Sequence, residues 1–341
     1  MKCTSSKQKD VTEQVQKLLK ERGSKALEEA RKTILQEEVE CKEVREALTY
    51  FMTEYWHDLA RPTLLSIACE AVGGDPDITT PIAVPMILIS GAIDIHDDII
   101  DQSKVKGSRP TVLGKFGKDI ALLVGDALLF KGLTILHEAV EKGVPAEKLP
   151  LIVSIIKRTF FELGDAEALE LQFRGRLDVT PEEYLHVVRK KAADVEAHTR
   201  ISVILGSGSE EEIETLGQYG RLLGMLIVLG DDLTDTFDVE ELRHRVKRES
   251  LPLPILYALQ NPQVKIDLNS VLLKKMTTKD DAERILELTR RAGGLKQWEE
   301  LVRKLAKEAD SCLGNLVYDI KHLKLLIRYV IPPLFKATEF Y

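Results

Sequence analysis

The chain has 341 residues, 44% of them hydrophobic and 30% charged, and its formal net charge is −7. This composition is typical of a globular protein with enough apolar residues for a large core. The acidic balance argues against nucleic acid as a partner, because phosphate backbones are bound by clustered lysine and arginine residues.

We expect neither a secretory signal nor a membrane span. The N-terminus, MKCTSSKQKD, is polar. The most apolar windows, residues 81–93 and 120–130, are too short or too interrupted to cross a bilayer. The cysteines form no Cys-x-x-Cys pair, which argues against a zinc site or a disulfide framework, and a cytoplasmic, reducing location fits best. They are Cys3, Cys41, Cys69 and Cys312.

Helical periodicity begins near the N-terminus. Residues 11–40 carry apolar side chains three and four positions apart between charges, a pattern that predicts an amphipathic helix. The stretch 1–45 is more polar than the rest of the chain. It is expected to form an N-terminal helical segment that packs loosely.

An apolar stretch then ends in three carboxylates. The run PIAVPMILISGAI leads into Asp97, Asp98 and Asp101. Residues three or four apart share a helix face, so these carboxylates lie close together beside apolar residues. Burying ionised groups without a partner is costly, and a hard divalent cation, Mg²⁺ or Mn²⁺, would compensate. For a single triplet, a solvated acidic helix end is the alternative.

Start signals mark three later helices. Thr180 and Ser209 each precede a glutamate three residues on, Thr278 opens another helix, and Gly293-Gly294 stops it. Alternating strand patterns are scarce, and we find no Asn-Gly or Asp-Gly hairpin signal. We therefore predict an all-α fold, one large helical bundle forming a single domain over residues 1–341.

The aspartate pattern recurs after a second apolar run. Asp231, Asp232 and Asp235 follow LLGMLIVLG at the spacing of the first triplet. Two matching triplets make a solvated helix end a poor explanation. If they face each other, they form a cage for about two or three metal ions and a ligand as anionic as a diphosphate.

Such a cage indicates a reaction type. Metal ions on a diphosphate stabilise the charge that develops on a leaving group. An apolar helical cavity below the cage would hold a long apolar tail. Together these features point to ionisation of an allylic prenyl diphosphate.

From about residue 55 to its end, the chain resembles the trans-isoprenyl diphosphate synthase (polyprenyl synthetase) family. The resemblance rests on six segments in a fixed order, and the combination is specific where no single segment would be. The segments are RPTLLSIACEAVGG, IHDDIID, SRPTVLGKFGKDIALLVGDALL, YLHVVRKKAADVEA, LGDDLTD and RESLPLPILYAL.

The resemblance implies a fold, an activity and roles for particular residues. Family members are all-α bundles around a deep central cavity, commonly homodimers. They condense an allylic diphosphate with isopentenyl diphosphate, using Mg²⁺ held by both aspartate motifs. The metal ligands it implies are Asp97, Asp101, Asp231 and Asp235, with Asp98, Asp232 and Lys191 as further catalytic residues. The substrate-binding residues it implies are Arg61, Lys106, Arg109, Lys191 and Arg248, with Ala92 and Ile93 lining the tail cavity.

The small Ala92, one helical turn before Asp97, leaves room for a product of about C15–C20 or longer. Asp94, in the same turn, is unusual for an apolar tunnel and has no explanation from the sequence.

Three departures concern the isopentenyl diphosphate pocket. Asp58 stands where the family has lysine, Gly107 where it has a second arginine, and Val228 where it has glutamine. The lost cations grip isopentenyl diphosphate in the family, and a carboxylate at position 58 would repel a diphosphate. The allylic half of the site is largely kept, whereas the acceptor stays open between isopentenyl diphosphate and another molecule.

Three functions stay open from the sequence. The first is a synthase that elongates an allylic diphosphate with isopentenyl diphosphate. The second ionises the same substrate without elongation, as a class I terpene synthase or a prenyltransferase to a non-diphosphate acceptor. The third is a non-catalytic partner subunit, against which the intact triplets argue. Glu183-x-x-His186 and Glu241-x-x-His244 fit a di-iron pattern, but their charged surroundings indicate solvated faces.

Overall fold

The computed structural model describes residues 6–274 and 278–331, and these are almost entirely helical, which confirms the all-α prediction. The helices are α1 (Ser6–Leu35), α2 (Lys42–Tyr50), α3 (Ala60–Glu70), α4 (Thr80–Asp101), α5 (Val112–Phe116), α6 (Lys118–Ile135), α7 (Glu138–Glu141), α8 (Leu149–Leu171), α9 (Pro181–Lys191), α10 (Ala193–Leu205), α11 (Glu210–Phe237), α12 (Val239–Arg248), α13 (Leu253–Leu259), α14 (Pro262–Leu273), α15 (Lys279–Arg291), α16 (Gly294–Cys312) and α17 (Lys321–Val330). A π-helical turn, Phe51–Tyr55, follows α2, and 3₁₀ turns lie at Pro76–Thr79, Ala146–Lys148 and Leu313–Asn315.

The predicted helix starts are confirmed in detail. Thr180, Ser209 and Thr278 each accept a hydrogen bond from the backbone N–H three residues on, and an acidic side chain there bonds back. These reciprocal bonds satisfy N–H groups that a helix leaves open at its start. The stop is also confirmed, since Gly293 has a left-handed φ of 79° after the end of α15.

The N-terminal helix packs more closely than its polarity suggests. In α1, Val15 and Ala30 are completely buried, and Leu27 is nearly so. The helix lies against α3, α4 and α17. Its polar residues therefore form an outer face, and the expectation of loose packing is wrong for residues 10–35.

Helix α4 runs through the core and carries the first aspartate triplet at its C-terminal end. It packs along α6 so closely that a Cβ on Gly132 would lie 2.7 Å from Ile89 Cγ1 and 2.9 Å from the carbonyl oxygen of Pro85. The stretch Pro76–Asp101 is long and apolar enough to cross a membrane, contrary to the sequence expectation, but 72% of its most apolar window is buried in the protein. Such burial is typical of a helix in the core of a folded domain.

A short hairpin follows α4, where no strand was predicted. Strand β1 (Val105–Lys106) pairs antiparallel with β2 (Arg109–Pro110), with Lys106 opposite Arg109. The two-residue turn begins at Gly107, whose φ of 61° is left-handed. Gly-Ser is a hairpin turn signal alongside Asn-Gly and Asp-Gly, and glycine meets the φ requirement without strain.

Candidate active site

The first aspartate triplet meets helix α8. One carboxylate oxygen from each of Asp97, Asp101 and Glu167 lies within 4.8 Å of the others, and all three side chains are half-buried. Three such oxygens suit Mg²⁺, which takes an all-oxygen shell completed by water and substrate phosphates. Within the described residues this group includes Glu167 but neither Asp231 nor Asp235.

Lys106 lies directly against the first triplet. Its ammonium nitrogen is 2.8 Å from Asp98, 3.3 Å from Asp94 and 3.8 Å from Asp97. Asp98 is only 1% exposed, so it is the member of the triplet that is turned inward. The contact with Lys106 also accounts for Asp94, which the sequence left unexplained.

Burial raises the pKa of these carboxyl groups. Loss of water raises the pKa of Asp98 to about 7, although Lys106 opposes the shift. Burial and then the charge of Asp97 raise the pKa of Asp101 to about 7, and burial raises that of Glu167 to about 7 despite a neighbouring lysine. The pKa of Asp97 is raised by burial as well. Crowded carboxylates that resist ionisation favour a bound cation, so the chemistry of the donor set fits a divalent metal.

The second triplet, near the end of α11, is divided between the interior and a cavity. Asp232 is 1% exposed and accepts hydrogen bonds from the Tyr184 hydroxyl at 2.6 Å and from Arg245 at 2.8 Å. Asp235 lies 2.9 Å from the same guanidinium. Asp231 is exposed and lines the cavity, where partial desolvation raises its pKa to about 6.

Lys191, the last residue of α9, contacts acidic residues of α8 and lines the cavities that Asp231 lines. Its ammonium is 3.0 Å from Glu167, which belongs to the carboxylate group of the first triplet, and it also contacts Glu170. Lys191 and Asp231 together line one cavity of 660 Å³ and another of 190 Å³. Lys191 thus contacts the acidic residues beside the first triplet and shares two cavities with Asp231 of the second.

The walls of the larger cavity combine these charges with apolar side chains. A ligand there would have its charged end near Lys191 and Asp231 and its hydrocarbon against an apolar surface. The apolar wall includes Leu64, Leu223, Ile227, Leu326 and Tyr329.

Arg61 lines the same cavity but is held by two carboxylates. Its Nε is 2.8 Å from Asp194 and its Nη1 is 3.1 Å from Asp58. The other oxygen of Asp58 accepts hydrogen bonds from the backbone N–H groups of Ala60 and Arg61, so it also stabilises the start of α3. Asp194 was missed in the sequence, where its only signal is a carboxylate three residues after Lys191.

Two of the expected substrate cations lie away from the carboxylate groups. The guanidinium of Arg109, on β2, donates to the backbone carbonyl of Glu54. Arg248 is exposed at the end of α12 and does not line either cavity. Arg245, three residues earlier, is buried and lines the smaller cavity with Asp231.

Ala92 and Ile93 lie where the sequence places them, in the helical turn before Asp97. Ala92 is completely buried, and the half-buried Ile93 packs against the same apolar cluster. Neither residue lines the 660 Å³ or the 190 Å³ cavity, so their role in binding the substrate tail and the length of the product both stay predictions.

The two Glu-x-x-His patterns are not alike. Glu183 closes the capping box of α9, with its carboxylate on the backbone N–H of Thr180, and His186 is exposed. His244 is half-buried, 3.1 Å from Glu249, so the expectation of a solvated face is wrong for this residue. Neither pattern brings its own pair together in a metal-binding group among the described residues.

Comparison with protein families gives one clear result. The family model described as polyprenyl synthetase matches residues 41–289. This range includes both aspartate triplets, Lys106, Lys191 and the hairpin.

Curated relatives include two archaeal enzymes. The short chain isoprenyl diphosphate synthase of Methanothermobacter thermautotrophicus is 36% identical over 182 residues, which are 53% of this chain and 55% of that protein. The geranylgeranyl diphosphate synthase of Methanosarcina mazei is 34% identical over 192 residues, 56% of this chain and 58% of that protein. The chain thus spans only a little over half the length of these relatives.

Solved structures extend the likeness over most of the chain. The geranylgeranyl pyrophosphate synthetase of Pyrococcus horikoshii superposes with a TM-score of 0.82 and 25% identity, covering 93% of this chain and 99% of that one. The enzyme of the same name from Geoglobus acetivorans gives a TM-score of 0.81 at 23% identity, covering 92% and 99%, and supports the fold alone.

Proposed function

The chain belongs to the polyprenyl synthetase family, and we propose that it is a Mg²⁺-dependent prenyltransferase that joins an allylic prenyl diphosphate to isopentenyl diphosphate. One observation carries the proposal: Lys191 contacts Glu167, which belongs to the carboxylate group of the first triplet, and lines the same cavity as Asp231 of the second triplet. The relatives described above are isoprenyl and geranylgeranyl diphosphate synthases, which supports elongation.

The residues divide the chemistry among themselves. Asp97, Asp101, Glu167 and Asp231 would hold about two or three Mg²⁺ or Mn²⁺ ions. Bound there, the ions supply positive charge to a diphosphate leaving group. This set departs from the sequence expectation, because Glu167 joins it and Asp235 is committed to Arg245.

Lys106 and Lys191 are the cations best placed to bind diphosphate oxygens. Both ammonium groups already lie against the carboxylates that would be shared with the metal ions. In the reaction the allylic carbon–oxygen bond breaks and its electron pair leaves with the diphosphate. The double bond of isopentenyl diphosphate then forms the new carbon–carbon bond, and a proton is lost. The apolar cavity wall keeps water from the cation.

A non-elongating enzyme is the second candidate. The observation that favours it is the pairing of Arg61 with both Asp58 and Asp194, which leaves little positive charge for a second diphosphate. The relatives argue the other way, so elongation is the function we propose. A non-catalytic subunit has no use for the crowded carboxylates of the first triplet.

The test is diphosphate release from farnesyl or geranylgeranyl diphosphate with Mg²⁺, with and without isopentenyl diphosphate. We expect a longer product only when isopentenyl diphosphate is present. Release of diphosphate without elongation would favour the non-elongating enzyme, and no release would favour the non-catalytic partner subunit.

Variants connect that activity to the site. Asp97→Ala and Asp231→Ala are each expected to lower kcat by about 100-fold or more, because charge stabilisation at a leaving group is lost. Asp267→Ala, an exposed aspartate on α14, is the matched control and should leave activity unchanged. Near-normal turnover in either site variant would count heavily against the proposed function.

We also propose a cytoplasmic homodimer. Helix α8 has 23 residues of which Ile152, Ile156 and Ala166 are buried, whereas Phe160 and Phe161 are exposed. Large exposed apolar surfaces on a soluble protein usually mark an interface. Further exposed apolar residues on α6 and α8 are Leu122, Leu123, Phe130, Leu133, Leu151 and Val153.

The dimer test is sedimentation of the purified protein. Phe130→Glu combined with Phe161→Glu should shift a dimer towards a monomer.

The proposed cytoplasmic location rests on the cysteines. Cys41, Cys69 and Cys312 are free thiols in the described residues, which is compatible with a reducing compartment.

A further inference from the structure

Arg245 is a buried cation whose donors are engaged by several partners. It is 7% exposed. Its Nη1 lies 2.8 Å from Asp232 and 2.9 Å from Asp235, its Nη2 donates to the Tyr184 hydroxyl at 3.0 Å, and its Nε donates to the carbonyl of Ser250 at 3.1 Å. Such a network is rigid, because opening one contact leaves charged groups unpaired in a low dielectric.

This arginine decides which carboxylates of the second triplet can meet a ligand. Asp231 and Asp235 are four residues apart and share a helix face, so the helix alone does not separate them. One nitrogen of the guanidinium, Nη1, contacts both Asp232 and Asp235. Asp231 is left as the member exposed to the cavity.

Arg245 is also connected to Lys191. Ser250, whose carbonyl accepts from Arg245, donates through Oγ to Glu170 at 2.5 Å, and Glu170 contacts Lys191. A displacement of Arg245 would therefore be transmitted through Ser250 and Glu170 to Lys191.

We propose that Arg245 is a positioning residue for prenyl transfer, which holds Asp232 and Asp235 so that Asp231 is the carboxylate presented to the metal–diphosphate complex. The inference rests on the proposed function and deepens it. The role of Arg245 was not predicted from the sequence, where the RESLPLP segment indicates Arg248 as the substrate-binding cation instead.

The test measures metal-dependent binding as well as turnover in the full-length protein. Calorimetry with Mg²⁺ and inorganic pyrophosphate compares wild type with Arg245→Met. We expect the Mg²⁺ concentration for half-saturation to rise about tenfold or more, and kcat to fall about 100-fold with a smaller change in KM. Arg243→Met is the matched control, since Arg243 lies on the same helix and pairs with the exposed Glu240. It should bind and turn over like wild type.

The conservative variant separates positioning from stability. Arg245→Lys keeps a buried charge, but its single nitrogen cannot replace the Nε contact with Ser250 and the Nη2 contact with Tyr184 as well as the Nη1 contacts with both aspartates. We therefore expect an intermediate Mg²⁺ concentration for half-saturation. If the variants have a lower melting temperature but an unchanged Mg²⁺ concentration for half-saturation, Arg245 is merely structural and the proposal is overturned. If Arg245→Met does not fold, a wild-type Mg²⁺ concentration for half-saturation in Arg245→Lys overturns it. A wild type that binds Mg²⁺ and pyrophosphate but transfers no prenyl group refutes the proposed function while leaving this test intact.

Discussion

Four cations of the site are each paired with at least two carboxylates. Lys106 contacts Asp94, Asp97 and Asp98, and Lys191 contacts Glu167 and Glu170. The other two cations are Arg61 and Arg245, with two aspartates each. A diphosphate entering such a site must bring cations with it or displace a carboxylate. At the scale of residues, this excess of acid is the physical reason to expect a metal requirement.

The Arg61 pair yields a prediction about the second substrate. Asp58→Asn keeps a side chain that can cap α3 but removes the negative charge from the Nη1 contact. We expect KM for isopentenyl diphosphate to fall about tenfold, equivalent to about 1.4 kcal/mol, because a charge near 4 Å contributes on that order. KM for the allylic diphosphate should stay the same. Steady-state kinetics with each substrate varied in turn provides the measurement.

Asp194→Asn tests the same idea from the other side of Arg61, and Asp77→Asn on an exposed turn is the control. If neither Asp58→Asn nor Asp194→Asn changes KM for isopentenyl diphosphate, the carboxylates do not set second-substrate affinity.

At the scale of elements, local signals were predictable and long-range contacts were not. The caps at Thr180 and Ser209 depend on residues three apart, and both aspartate triplets depend on helical periodicity. Glu167 reaches the first triplet from α8, and Arg245 reaches the second from α12. Such approaches are decided by tertiary packing, which a single sequence does not encode in any short pattern.

The hairpin shows that backbone conformation explains Gly107 better than a comparison with the family's side chain at this position. By resemblance, Gly107 marks a missing arginine. The structure gives it a φ of 61°, a conformation that costs a residue with a Cβ about 1–2 kcal/mol. Glycine at this position is therefore explained by the turn that presents Lys106 to Asp98.

Gly107→Val should consequently affect activity through Lys106. No atom lies within 4 Å of the Cβ position, so the cost is conformational and the protein should fold, with a loss of about 1–2 kcal/mol. We expect KM for the allylic diphosphate to rise several-fold. Gly143→Val is the matched control, since Gly143 also has positive φ and open space around it but belongs to the loop after α7. Equal stability loss with equal kinetics in both variants would contradict this role of the hairpin.

At the scale of the whole molecule, the carboxyl groups tie stability to pH and metal. The pKa values of Asp98, Asp101 and Glu167 are raised to about 7 and that of Asp231 to about 6, whereas unfolded chains have values of about 4. Between about pH 4 and pH 7 the folded protein therefore binds more protons at these carboxyl groups than the unfolded chain does. The contribution of these protonated carboxyl groups to stability is fully present below about pH 4 and is lost as pH rises through about 7.

The metal-free protein should therefore have a melting temperature that falls between about pH 5.5 and pH 8, measured by calorimetry in the presence of a chelator. Mg²⁺ competes with these protons, so its stabilising effect should be larger at pH 8 than at pH 5.5. Asp98→Asn removes one of the titrating groups without adding charge and should flatten the pH dependence. Glu287→Gln, exposed on α15, is the control. A melting temperature that rises from pH 5.5 to pH 8 without metal would mean that the raised pKa values do not govern stability. The argument that the crowded carboxylates need a cation would then fail as well.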